Sequence, residues 1–174
     1  MSDLEEFRTR KDEFFATDHH SPLTPQQRSE FRGLAYYDEN PESSLEVEVE
    51  KFPHEDPIQI ATSTGEVATY QKWGRFSVEI EGQKAELTIF RDLQRGDLFL
   101  PFVDSTSGSE TYSVGRYVEL ESSHDGKVLV DFNHAYNPYC AYNENWNCPM
   151  PPLENRINVP IHAGEKSFPG TTEQ

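Results

Sequence analysis

Three stretches of the 174-residue chain are crowded with residue types that can do chemistry. The first runs Asp104-Ser105-Thr106-Ser107-Gly108-Ser109-Glu110-Thr111-Tyr112 and on into Gly115-Arg116-Tyr117. The second is Asp131-Phe132-Asn133-His134-Ala135-Tyr136-Asn137-Pro138-Tyr139-Cys140-Ala141-Tyr142. The third opens Cys148-Pro149-Met150-Pro151-Pro152-Leu153-Glu154-Asn155 and resumes at Ala163-Gly164-Glu165-Lys166. Arg116 falls in a strand pattern; turned inward it must be paired, because an unpaired buried charge costs several kcal/mol. Its candidate partners are Asp131, Glu154 and Glu165. Such a cluster either glues the fold or recognises an anion. Glu154 and Glu165 bracket the last expected strand, and two carboxylates divide acid and base roles only when their environments push their pKa values apart.

The cysteines admit several readings. Seven residues separate Cys140 from Cys148, against the two to four that structural zinc pairs prefer. A metal site would need His134 and His162 by tertiary proximity. A reactive thiol would need a neighbouring His, Lys or Arg to lower its pKa. The plainer reading is two thiols packed as small hydrophobes, or a disulfide under oxidising conditions. No metal and no cofactor is expected, since a Walker loop, a dinucleotide fingerprint, a Gly-x-Ser-x-Gly elbow and His-Glu-x-x-His are all missing from the sequence. Asn133, Asn137 and Asn155 are suited to tying loops through side-chain bonds. Tyr136, Tyr139, Tyr142 and Trp146 either line a pocket or fasten the loop that carries them.

The elements that must position these residues are mostly strands. Residues 3–16 pattern as a short helix with Leu4, Phe7, Lys11, Phe14 and Phe15 on one face. Thr24-Pro25-Gln26-Gln27 supplies an N-cap, a first-turn proline and a capping-box Gln for a second helix that ends at Gly33. From residue 45 the period changes to two. Strands are expected at 45–50, around Ile58 and Ile60, and at 67–73, 75–81, 85–91, 97–102, 111–120, 127–132 and 156–162. Asp125-Gly126 is a hairpin turn signal. Residues 133–155 read as one long loop, a strap over the β domain. Eight or nine short antiparallel strands imply a mainly β fold, a barrel or barrel-like sandwich with two short N-terminal helices. One domain spans 1–174, with a helical segment at 1–33, the β domain at 34–168 and a loose tail at 169–174.

Charge excludes some partners. The chain carries 31 acids against 15 Lys plus Arg, a net charge of -16, and the excess is heaviest in residues 1–60. Nucleic acid and anionic membrane are therefore not expected partners. High net charge with only six Lys against nine Arg suits a salt-rich interior. No run approaches the roughly 18 apolar residues of a membrane span. The start Met1-Ser2-Asp3-Leu4-Glu5-Glu6 has no basic n-region or apolar run, so a cytoplasmic protein is expected.

Asp131-Phe132-Asn133, Ala135 to Tyr142, Cys148 to Arg156, and Ile161-His162-Ala163-Gly164-Glu165-Lys166 resemble the signature of the domain of unknown function 1684 family. The upstream Gly115-Arg116-Tyr117 is similar too. The resemblance is close over about the last 60 residues and looser over the β-rich middle. It implies a bacterial or haloarchaeal cytoplasmic protein of no established activity. His134 stands where that pattern would carry Arg, which argues against an essential role for it. The resulting expectation is an acidic β domain that binds a small ligand under the 133–155 strap, with an enzyme left open. Its site would be drawn from Arg116, Tyr117, Asp131, Asn133, Tyr136, Asn137, Cys140, Glu154, Asn155 and Glu165, and the ligand would be anionic if Arg116 holds it. The alternatives are an interaction or scaffold protein in which those residues only lock the fold, and a metal or redox site at Cys140 and Cys148 with His134.

Overall fold

The computed structural model describes residues 2–122 and 125–169. From residue 170 on, the expected tail lies outside the described residues. Helix α1 (Asp3–Thr17) is capped by Ser2, whose hydroxyl accepts from the Glu5 amide while Glu5 reaches back, a reciprocal capping box. Helix α2 (Pro25–Glu30) starts as its sequence predicts, with Thr24 and Gln27 exchanging the same pair of bonds. No helix among the described residues is long and apolar enough to cross a membrane.

Among the described residues eight strands follow: β1 (Ser44–Glu48), β2 (Glu50–Lys51), β3 (Pro57–Ala61), β4 (Val67–Ile80), β5 (Gln83–Asp92), β6 (Leu98–Phe102), β7 (Arg116–Ser122) and β8 (Lys127–Asp131). All pair antiparallel, in the order β1-β8-β7-β6-β5-β4-β2, with β3 also on β4. β1 and β2 are successive pieces of one chain run. One pairs with β8 and the other with β4, so the sheet comes round on itself as a nearly closed barrel. That seam is short, Glu50↔Arg75 and Lys51↔Gly74. Gly74 permits it: a Cβ there would lie 2.6 Å from Val49 Cγ1.

Alternating side chains fill the interior: Phe76 and Val78, Leu87 and Ile89, Leu98, Leu100 and Phe102, Val118 and Leu120, Val128 and Val130. A second, smaller core lies outside the barrel. There Phe15 and Leu23 from the helical segment pack on Tyr142 and Phe168. The N-terminal helices therefore clasp the strap.

Five expectations change. Helix α2 ends at Glu30, with Phe31 as its C-cap, and does not reach Gly33. Residues 67–73 and 75–81 form one strand, β4, whose pairing shifts register between Lys72 and Gly74. Thr111 belongs to a turn laced to Thr106, and β7 begins only at Arg116. The 133–155 loop carries 3-10 turns at Tyr139–Ala141 and Leu153–Asn155, and another spans Phe132–His134. Residues 156–162 are extended but not a strand of the sheet. Their apolar Val159 and Ile161 are buried, Pro160 has no amide to donate, and the carbonyl of Ile161 goes to Arg116.

Candidate functional site

On β7 the period of two decides which residues can share a site. Arg116, Val118 and Leu120 point into the barrel, so Tyr117 and Glu119 point out. Arg116 and Tyr117 thus lie on opposite faces of one sheet. Arg116 is fully buried. Its Nη1 donates to the carbonyls of Ala163 and Glu165, the latter at 3.1 Å, and its Nη2 to Ile161 O at 3.0 Å. Nη2 also lies 3.5 Å from Asp104 Oδ2. The three carbonyls belong to alternate residues, so one guanidinium serves the C-terminal segment much as a partner strand would. Gly164, at φ +83°, lets that segment turn against the carbonyls of Ala135 and Phe132. The ion-pair partner is Asp104 rather than Asp131, Glu154 or Glu165. Asp104 also accepts from the Ile161 amide at 2.6 Å and from Thr106 and Ser107. Burial pulls the Arg116 pKa down, and Asp104, Tyr37 and Glu165 oppose that shift.

The other polar candidates are tied up in the same way. Glu165, 1% exposed, accepts from Tyr142 Oη at 2.6 Å, the Asn137 amide at 2.8 Å and Lys11 Nζ at 3.1 Å. It joins α1, the strap and the C-terminal segment. Burial and the Glu165 charge hold the Tyr142 phenol well above its ordinary pKa, so it stays a donor. Asn137 Nδ2 donates to Lys166 O. Asn133 exchanges bonds with both the amide and the carbonyl of Asn40, and its own amide caps on Asp131. Asn155 accepts from the Thr88 amide and donates to Thr88 O and Pro101 O, all at 2.8 Å. It fills the gap where β5 and β6, paired at Phe90↔Phe99 and Arg91↔Leu98, diverge. Glu154 reaches Lys72 at 3.1 Å and Thr88 Oγ1 at 2.7 Å at the rim.

On the outer face the strap takes the place of a strand beside the start of β7. Tyr136 and Tyr117 exchange backbone bonds at 2.9 Å. Between strap, β7 and α1 lies a groove of about 440 Å³. Phe7 and Lys11 come from α1, Tyr117 and Glu119 from β7, and Tyr136, Pro138, Tyr139, Trp146, Asn147 and Cys148 from the strap. Tyr117 and Tyr136 meet edge to face at 5.8 Å, Tyr139 and Trp146 at 5.2 Å. Most of its polar atoms already have protein partners. Tyr117 Oη donates to Pro149 O, Tyr136 Oη to Glu119 at 3.2 Å, and Asn147 bonds Thr64 and Glu66. Lys11 Nζ is held by Glu165, 5.2 Å over the Tyr136 ring. Burial raises the pKa of both phenols, so the groove wall is neutral there.

Of the residues singled out from the sequence, Tyr117, Tyr136, Tyr139, Trp146 and Cys148 line this groove. Asp131 and His134 line an adjoining depression with Asp97 and Glu121, which shares Phe7, Glu119 and Tyr136 with the groove. His134 packs on Phe7 at 4.9 Å and faces Asp131 at 3.7 Å. Cys140 Sγ lies 3.8 Å from Tyr112 Oη, Cys148 bonds Ser63 through its backbone, and no metal-spaced group among the described residues joins the two cysteines to His134. The set Cys140, Cys148 and His134 is therefore not assembled. The one metal-spaced group among the described residues is Asp18, His19 and His20, with both histidines exposed. Phe7 and Lys11 had no signal as site residues, because helical spacing marks them as one packing face and nothing more.

The chain belongs to the DUF1684 family, a protein family of unknown function whose model matches residues 29–166. It is similar to an uncharacterized protein of Haloarcula marismortui solved in solution by NMR, at 35% identity over 94% of this chain and 91% of the other, with a TM-score of 0.72. No curated protein matches it.

Proposed function

We propose that this family member binds a small, flat, largely apolar molecule in the groove between α1, β7 and the strap. The observation that carries the reading is the convergence of five aromatic rings, Phe7, Tyr117, Tyr136, Tyr139 and Trp146, from three separate chain segments on one void. Phe7 and Trp146 remain 41% and 40% exposed, an unfavourable state for large apolar rings that a ligand would relieve. The volume falls in the range of small-molecule sites. Ring stacking, rather than an anion clamp, provides the selectivity. Arg116 faces the other side of the sheet, Lys11 is already neutralised by Glu165, and the field of a chain at -16 repels anions.

The competing reading is an interaction or scaffold protein in which Arg116, Asn133, Asn155 and Glu165 only lock the fold. Their internal pairing favours that role for those four residues, and it leaves the groove unexplained. The test is a fluorescence titration of planar heterocycles in a Trp73→Phe background, where Trp146 is the remaining indole. A ring pair contributes about 0.5–1.5 kcal/mol beyond its buried area. Trp146→Ala and Tyr136→Ala, followed by calorimetry, should each weaken binding about tenfold. Binding that neither substitution alters, or no binding across the set, would remove the proposal.

A further inference from the structure

The break between the two helices holds a cluster of side chains that the groove does not use. Asp18 is the C-cap of α1, and its amide donates to Phe14 O at 3.0 Å. Its carbonyl accepts from the Ser21 amide at 3.0 Å and from Arg28 Nη1 of α2 at 3.3 Å. Its carboxylate accepts from the His20 amide at 2.8 Å, closing an Asx turn. Buried Ser21 continues the lock: its hydroxyl donates to Phe15 O at 2.8 Å and accepts from the Leu23 amide at 3.2 Å. The backbone of residues 18–23 is therefore held by bonds to both helices.

On this turn two successive imidazoles fall on the same side. Their ring centroids are 4.0 Å apart. Successive residues of a strand point to opposite faces, and those of a helix diverge too, so the turn is what makes them converge. The Nδ1 atoms lie 3.8 Å (His19) and 3.3 Å (His20) from Asp18 Oδ1. One donor atom from each of the three residues lies within 4.8 Å of the other two. A tetrahedral ion with Zn–N and Zn–O bonds near 2.0–2.2 Å needs neighbouring ligand atoms about 3.3–3.5 Å apart. The His20 edge already has that length. The His19 edge is slightly long, and the ring, exposed to solvent, is free to close it.

We propose that Asp18, His19 and His20 bind a divalent transition-metal ion of the zinc class, with water completing its coordination. Two imidazoles and one carboxylate form a donor set that zinc accepts. Magnesium and calcium take oxygen ligands, so two nitrogens of three donors select against them. The field of a chain at -16 concentrates cations at the surface where the site lies. The ion joins the end of α1 to the turn that leads into Pro22, whose carbonyl accepts from Trp146 Nε1 at 3.2 Å. Metal binding thus fastens the clasp that the helical segment makes on the strap, and an ion that binds only the folded chain stabilises it. The inference stands on the three side chains and does not require the groove to bind a ligand.

The test is calorimetric titration of the full, chelator-stripped chain with zinc chloride in excess magnesium, beside NMR of the histidine rings. Wild type should bind one zinc per chain, with the His19 and His20 ring signals shifting together, and zinc should raise the thermal midpoint. Loss of a residue that merely supports a ligand weakens metal sites roughly 10–100-fold, so His19→Gln and His20→Gln should each weaken binding at least about tenfold. Both side chains are exposed, so these variants keep the fold, which circular dichroism checks. Asp18→Asn keeps an acceptor for the His20 amide and should weaken binding by removing the charge. No saturable zinc binding, displacement by magnesium, or zinc binding that survives both histidine substitutions and is lost in Cys148→Ser would overturn the proposal.

Discussion

Replacing Arg116 with Met should destabilise the protein by about 4 kcal/mol or more, and the structure gives the reason. The substitution preserves most of the buried stem and removes the fork. It strands the carboxylate of Asp104, buried as completely as its partner, and withdraws the donors from Ile161 O, Ala163 O and Glu165 O. Breaking a buried ion pair by removing one partner costs about 3–5 kcal/mol. Each buried carbonyl left without a donor adds about 1–3 kcal/mol before relaxation. These terms overlap, so the total falls below their sum, and about 4 kcal/mol is already a large share of the roughly 5–15 kcal/mol that holds a domain together. The assay is urea unfolding followed by circular dichroism. Asp104→Asn in the Arg116→Met background should restore about 1–2 kcal/mol, because it removes the stranded charge and keeps an acceptor for the Ile161 amide at 2.6 Å. A loss below about 1 kcal/mol for Arg116→Met would refute the structural role of the Arg116–Asp104 pair, since a buried ion pair cannot be cut at so small a cost.

Asn155→Leu should cost about 3 kcal/mol, because it strands two groups of Thr88 and one of Pro101. Hydrogen exchange at the Thr88 amide should accelerate more than at other β5 amides, and unchanged exchange there would contradict the bridging role. The net charge of -16 should make stability rise with salt, read as the urea midpoint between low and molar potassium chloride. A flat profile would show that self-repulsion is not a large destabilising term.

The strands were legible because each buries one face, and the period of two in Leu45 to Glu50 or Phe76 to Ile80 has no helical alternative. The capping residues of α2 were equally plain. Residues 156–162 misled because their apolar spacing is that of a strand. The Val159 carbonyl is served by the Ser105 amide and the Ile161 carbonyl by a side chain, Arg116, which sequence spacing does not reveal. The same period of two, applied to Arg116 and Tyr117, already forbids placing both in one pocket. Asp104 was hidden as the partner because it follows β6 in a polar turn, and only the fold carries it to the C-terminal segment. The site was legible in its strap half, as Tyr136, Tyr139 and Trp146, and opaque in its helical half. Phe7 and Lys11 lie more than a hundred residues earlier in the chain, and nothing local distinguishes a groove wall from a packing face.

The groove is proposed as the place where ligand binds, and the buried polar residues as structural. The most direct measurement is two-dimensional NMR of the labelled protein during titration with planar aromatic heterocycles. The account predicts saturable shifts confined to residues 117–119, 136–139 and 146–148 and to Phe7 and Lys11 of α1, with Arg116, Asn155 and Asp104 silent. Shifts centred instead on the depression at Asp131 and His134, or no saturable shift with any compound, would contradict it.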